Sequence, residues 1–306
     1  MLLPAMPDAP TRLVLPNCRC CAGFDRRLFV RLLGAGAAVA ATGTVLAREG
    51  VEVGRPSTLS KLVPAEQIER AATGQYASML NGAAQKGALA PESHPQVQRL
   101  RTIARRLIPH TYEWNPRARD WRWEVNLLGS NAINAFCMPG GKIVFYYGIL
   151  NRLRLSDDEV AMIMGHEMTH ALREHAREQM GKNMATRGAI EIGAAIFGLG
   201  GGGRLLADMG GQLLTLRFGR DDEREADLIG LELAARAGYD PQAGVTLWQK
   251  MAAASKGSKL EFLSTHPSGP SRISDIRRAI PDVAGLYARA DKPDVRFGPP
   301  SAPAAR

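Results

Sequence analysis

The residues His166-Glu167-Met168-Thr169-His170 carry the most directly readable chemistry of this chain. On a helix, residues four apart lie one above the other, so both imidazoles reach a single metal ion from one face. Glu167 sits beside the first of them, where it can take a proton from a water on that metal. These residue types at this spacing perform hydrolysis by a metal-activated water, as in zinc proteases. Three of the six histidines (His166, His170 and His175) fall in this one window.

The flanking residues predict the helix that must carry the pair. Ser156 and Glu159 form a capping box, with Leu155 and Val160 as its hydrophobic staple. Asp157 and Asp158 place negative charge in the first turn, where the helix dipole favours it. Val160, Ile163 and Met164 follow at helical spacing. No proline interrupts residues 155–177, so one helix is expected over 156–177.

Catalytic zinc keeps three protein ligands and one open position, so a further ligand must come from elsewhere. The run 220–227 offers Glu223 and Asp227 on one face of a second helix, continued by Leu228, Leu231 and Ala235 and stopped near Gly238. Glu223 can bind the metal while Asp227 accepts a hydrogen bond from a ligating histidine and fixes its tautomer. Glu225 competes for the ligand role. It lies about 200° around the helix from Glu223, so only one of the two can face the metal.

Together these residues resemble the M48 metallopeptidases. H-E-x-x-H is followed by Glu223-Arg224-Glu225-Ala226-Asp227, which is similar to the family's E-x-E-A-D. Residues Asn134-Ala135-Phe136-Cys137-Met138-Pro139-Gly140-Gly141 resemble its N-A-F-x-x-P-G-G strand and turn, with Cys137 where a small residue is frequent. Ser264-Thr265-His266-Pro267 with Ser271-Arg272-Ile273 resembles its S-T-H-P-x-x-x-x-R-I segment. Leu62-Val63-Pro64-Ala65-Glu66-Gln67 resembles the start of its domain, so the likeness spans about residues 59–280.

The resemblance implies an α+β, mainly helical zincin of the gluzincin type, with a small β-sheet beside the H-E-x-x-H helix. It implies one zinc per chain, held by His166, His170 and Glu223, with Glu167 as the base. It places His266 over the active site, either as an oxyanion donor or as a brake in the open zinc position; the brake is the favoured expectation. Other zinc families fit less well. A metzincin needs glycine and histidine where this chain has Arg173 and Ala176. His175 therefore reads as an exposed or supporting residue rather than a ligand.

The remaining chain must position this site. Helices are expected over 64–80, 95–107, 240–254 and 271–279, and a strand over 121–128. Residues 132–138 and 142–147 are expected to pair as a hairpin across Pro139-Gly140-Gly141. Asn134, Ala135 and Phe136 are the candidate edge that holds an extended peptide as an added strand; a plain core hairpin is the alternative. Residues 181–211 are rich in glycine, and their 189–199 stretch is too short to span a membrane.

At 306 residues and 45% hydrophobic content, the chain is long enough for one large domain or two small ones. Residues 1–47 hold five arginines and two aspartates, which leaves 34 basic and 28 acidic residues, or +6, in the rest. That modest charge favours peripheral contact with anionic lipid. No nucleic-acid motif accompanies it, so a nucleic-acid role is not expected.

Residues 1–47 read as an export signal. Asp25-Arg26-Arg27-Leu28-Phe29-Val30-Arg31 resembles the twin-arginine pattern, and a mildly apolar uncharged run leads to the small residue Ala47. An uncleaved anchor is the alternative. Cys18, Cys20 and Cys21 belong to this leader, and Cys137 alone remains after it, so no internal disulfide is expected. A peptidase domain over 48–290 and a disordered, proline-rich tail over 291–306 complete the plan.

The expected protein is a zinc metalloendopeptidase of the periplasm or cell envelope, acting on misfolded or unassembled polypeptides. Two rivals remain: a chaperone-like scaffold with a structural zinc site, and a membrane-inserted protease.

Overall fold

The computed structural model of the chain describes residues 48–186, 211–256, 260–267 and 271–301. The leader-like segment 1–47, the stretch 187–210 with its 189–199 run, and residues 302–306 lie outside the described residues.

Two helices lead, α1 (Ala65–Gln85) and α2 (Pro95–Leu107). The α2 start is local chemistry: His94 caps the Gln96 amide and Pro95 fills the first turn, where its missing N–H costs nothing. Three strands follow: β1 (Glu124–Leu128), β2 (Ala135–Met138) and β3 (Lys142–Tyr146). The expected hairpin forms, with Ala135 opposite Phe145 and Met138 opposite Lys142. Gly140 and Gly141 turn it at φ of +83° and +76°, conformations that other residues adopt only with strain.

Strand β1 lies parallel to β3, and the sheet order β1-β3-β2 leaves β2 at an edge. β1 begins at Glu124 rather than 121. Trp121 and Trp123 instead pack on each other with centroids 5.4 Å apart, and Trp123 donates to the Ala118 carbonyl.

Helix α3 (Tyr147–Arg152) leads into α4 (Asp157–Leu172), which begins at the capping box of Ser156 and Glu159 with both reciprocal bonds formed. The single helix expected over 156–177 is broken. Glu174 takes φ of 60°, and a new helix, α5 (His175–Thr186), departs from there. Sequence gave no warning, because a non-glycine left-handed residue at a helix end is uncommon. After α5 come α6 (Arg220–Arg236), α7 (Ala243–Ser255), α8 (Glu261–Thr265) and α9 (Ser271–Arg289). Helix α9 runs past 279 and through Pro281. Ile276, Ala279, Val283 and Leu286 are buried along it, so packing keeps helix where the proline removes a backbone donor.

Helix α4 is buried along almost its whole length, against α2, α6, α7 and β2. Its crossing with α6 depends on two glycines. A Cβ on Gly165 would sit 2.8 Å from the Gly230 carbonyl oxygen, and one on Gly230 would sit 2.6 Å from the His166 nitrogen. Their absence lets the two backbones touch, which brings α6 carboxylates against α4 imidazoles.

The amino end of α4 is pinned by charge. Arg99 donates to Asp157 at 2.6 Å and to the Leu155 carbonyl at 2.7 Å, and both charged side chains are buried. Asp157 also accepts from the Phe297 and Gly298 amides at 2.7 and 3.1 Å. Arg296 pairs with Asp158 at 2.7 Å, and Arg154 donates to the Pro300 carbonyl. Residues 291–301, read from sequence as the start of a disordered tail, make these contacts among the described residues. Proline and alanine content predicts no core of its own, but this segment docks through backbone amides, which composition does not reveal. Among the described residues, no helix is long and apolar enough to cross a membrane.

Candidate active site

Helix α4 presents His166, Glu167 and His170 near its carboxyl end, and α6 presents Glu223 and Asp227 across the glycine crossing. His266 caps the end of α8. His166, His170, Glu223 and His266 each offer a ligand atom within 4.8 Å of the others, and all four are buried.

The proton positions follow from the partners. Asp227 Oδ1 lies 3.1 Å from His166 Nδ1. A carboxylate only accepts, so this contact places the His166 ring proton on Nδ1 and leaves Nε2 bare. His170 Nδ1 lies 2.9 Å from His175 Nδ1, and the His170 Nε2 faces the His166 Nε2 at 3.2 Å. With the His170 ring proton on Nδ1 as well, two bare nitrogens would face each other there and repel. A cation between them turns the repulsion into ligation, so this donor set fits a metal such as zinc.

The charges around the site are unevenly matched. Arg272 Nη1 donates to Glu223 at 2.6 Å, and its Nε and Nη2 each hold Asp227 at 2.7 Å, while its guanidinium stacks 3.5 Å over Trp248. Burial would push Asp227 up, but Arg272 and His166 pull it down to about 2. Burial also works against the Glu223 carboxylate, yet His266, His166 and Arg272 keep it below the usual carboxylate value. Glu167 goes the other way: burial raises it, and His266 and His166 only partly oppose that. Its Oε1 is buried without a hydrogen bond. His266 Nε2 stands 3.5 Å from that oxygen, an ion-pair distance rather than a hydrogen bond. Burial drives His170 well below the ordinary histidine value.

His266 Nδ1 sits 3.0 Å from Glu223 Oε1 and 3.3 Å from His166 Nε2, between Phe262, stacked at 4.5 Å, and the rest of the cluster. Burial disfavours its charge, but Glu167 and Glu223 raise its pKa overall. Asn134, Ala135 and Phe136 line a cleft of about 50 Å³ together with Glu167, His170 and His266, and Leu213, Leu214, Leu216 and Phe218 also line it.

Glu225 points away from the cluster, to His175 Nε2 at 2.8 Å and Arg173 at 2.6 Å. His175 is buried, not exposed. Two contributors have no role legible in the sequence. Arg272 follows the S-T-H-P run without a signal of its partners. Phe218, stacked on His170 at 3.9 Å, had no local signal at all.

Comparison with known proteins agrees with this geometry. The profile of Peptidase family M48 matches residues 94–280, which contain every residue of the cluster. The chain belongs to peptidase family M48. Among its relatives are the mitochondrial metalloendopeptidase OMA1 of Schizosaccharomyces pombe and that of Arabidopsis thaliana. The first is 34% identical over 63% of this chain and 56% of its own length. The second is 40% identical over 51% of this chain and 31% of its own. The β-barrel assembly-enhancing protease of Escherichia coli O157:H7 is 31% identical over 49% of this chain and 33% of its own. The chain thus matches from a third to just over half of the length of these curated relatives.

Proposed function

We propose that this M48 protein is a zinc-dependent endopeptidase of the bacterial cell envelope that cleaves misfolded or unassembled polypeptides. The observation that carries the reading is the pair of facing imidazole nitrogens with Glu223 beside them and the buried Glu167 next to them, one oxygen of which has no hydrogen bond. His166, His170 and Glu223 would hold the zinc, with Asp227 fixing His166. A zinc ion held there supplies a Lewis acid that polarises the scissile carbonyl and acidifies a water.

The chain's own groups do the rest. Glu167 accepts the proton of the attacking water and passes it to the leaving amine. Its buried, raised carboxyl suits both halves of that transfer, since a poorly solvated carboxylate is a stronger base. The edge of β2 at Asn134, Ala135 and Phe136 can receive an extended peptide through main-chain bonds, which require unfolded substrate and little side-chain selectivity. His266, as a fourth donor among the three ligands, acts as a brake that occupies the open position. The envelope assignment is supported by the leader-like segment 1–47 and by the bacterial relative whose name ties it to β-barrel assembly. A structural zinc site in a scaffold would have no use for a buried carboxylate beside it with an oxygen left without a hydrogen bond.

The test is hydrolysis of an unfolded substrate such as casein by the purified chain, before and after chelation. Cleavage should stop on metal removal, return with zinc, and spare a stably folded control protein. Cleavage that persists in the metal-free protein would refute the reading.

A further inference from the structure

Behind His170, a line of polar groups, buried at His175 and Arg173 and half-buried at Glu225, takes no part in the proton transfers of hydrolysis. His170 Nδ1 meets His175 Nδ1 at 2.9 Å. His175 Nε2 meets Glu225 Oε2 at 2.8 Å, and Arg173 Nη2 holds the other oxygen of Glu225 at 2.6 Å. The same Arg173 nitrogen donates to the Gly54 carbonyl at 2.5 Å, which anchors the line to the 48–57 segment. The two imidazoles meet nearly edge to face, with centroids 5.0 Å apart and planes at 72°.

This contact depends on the helix break. In an unbroken helix, His175 would lie about 140° around the axis from His170 and point away from it. The left-handed turn at Glu174, φ 60°, starts a new helix and aims His175 back at the ring of His170. A strained, non-glycine backbone is therefore kept at the one place that makes the contact.

The line also has a direction. Glu225 is an acceptor, so the His175 nitrogen facing it must carry the proton. With a single ring proton, His175 then has a bare Nδ1, which accepts from the Nδ1–H of His170. His170 is left with its bare Nε2 toward the ligand cluster. His166 obtains the same tautomer in one step from Asp227; His170 obtains it in two.

We infer that Glu225 and His175 are positioning residues that fix the tautomer and ring orientation of His170 for metal binding. The inference rests on the reading of His166, His170 and Glu223 as zinc ligands. It gives the second glutamate of the E-x-E-A-D run a task distinct from that of the first. Neither residue touches substrate or metal.

The test is the zinc affinity of the purified full chain, measured by competition with a chromophoric chelator. Thermal unfolding of the chelated protein is measured alongside. His175→Leu removes the acceptor and should weaken zinc binding 10- to 100-fold, the usual effect of losing such an outer partner. His175→Asn places an amide oxygen near the lost Nδ1 and should restore affinity to within about threefold of wild type. Glu225→Gln should fall between them.

Wild-type affinity in both His175→Leu and Glu225→Gln would overturn the relay, as would equal losses in His175→Leu and His175→Asn that track the unfolding temperature. If His175→Leu does not fold, wild-type affinity in Glu225→Gln alone overturns it. A wild-type chain that binds no zinc would overturn the ligand assignment as well, whereas zinc-binding wild type with unaffected variants overturns the relay only.

Discussion

Helix α4 carries buried polar groups at both of its ends, and they are resolved in opposite ways. At the amino end, Asp157 receives Arg99 and two backbone amides, so its oxygens are matched by donors. At the carboxyl end, two imidazole nitrogens face each other at 3.2 Å, and Glu167 Oε1 has no hydrogen bond. Burying an unmatched polar atom costs on the order of 1–3 kcal/mol, so a fold keeps such atoms where something else is to be bound. The satisfied end is scaffold. The unsatisfied end is where we propose the chemistry takes place.

The largest effect that would break this contrast is loss of the metal. His170→Ala and Glu223→Ala should each abolish zinc binding in elemental analysis, whereas Arg99→Met should leave the zinc content unchanged. Zinc kept by Glu223→Ala but lost by Glu225→Ala would move the third ligand to Glu225 and undo the geometry of α6.

Next comes the cost of breaking each buried ion pair in the chelated protein. Arg272→Met takes the cation from both Glu223 and Asp227, leaving them only imidazole partners, and should destabilise by about 5 kcal/mol, the upper end for breaking a buried pair. Arg99→Met leaves Asp157 its two amides and should cost nearer 3 kcal/mol. Denaturant unfolding with chelator measures both. Added zinc should stabilise Arg99→Met as much as wild type, leaving its deficit unchanged, and should shrink the deficit of Arg272→Met.

These expectations show what the sequence could and could not convey. The α4 pair, its capping box and the Glu223–Asp227 face were readable, because helical periodicity and end chemistry are local. The hairpin turn was readable from its two glycines. The break at Glu174 was not, because nothing local demands a left-handed glutamate. It becomes sensible only once His175 is seen against His170. Arg272 and the docked segment 291–301 act through partners more than 40 residues away in the chain, at 2.7 Å from Asp227 and Asp157 respectively. Periodicity carries no record of such partners. The close crossing of Gly165 and Gly230 was likewise invisible until the two helices were placed together.

His266 sharpens the comparison at a smaller scale. As a brake, it should slow the wild type, so His266→Ala should raise casein cleavage several-fold; as an oxyanion donor, its loss should cut the rate by roughly 100-fold or more. Steady-state rates with the purified variant decide between the two.

The smallest effect is the acid response. The folded-state pKa of Asp227 is depressed to about 2. The stability it contributes is therefore present above the unfolded value near 4 and lost as pH falls toward 2, by about 2 kcal/mol. In the chelated protein, Asp227→Asn should be less stable at pH 6 and should show a shallower decline than wild type between pH 4 and 2. Equal slopes would place the acid sensitivity elsewhere.

The most direct measurement joins metal content and turnover in one variant. Glu167→Gln keeps the size of the side chain and removes only its basicity. Wild-type zinc content, wild-type unfolding and a fall in casein hydrolysis of 100-fold or more are expected. Hydrolysis near the wild-type rate, with zinc still bound, would contradict the assignment of Glu167 as the base and of this end of α4 as the catalytic one.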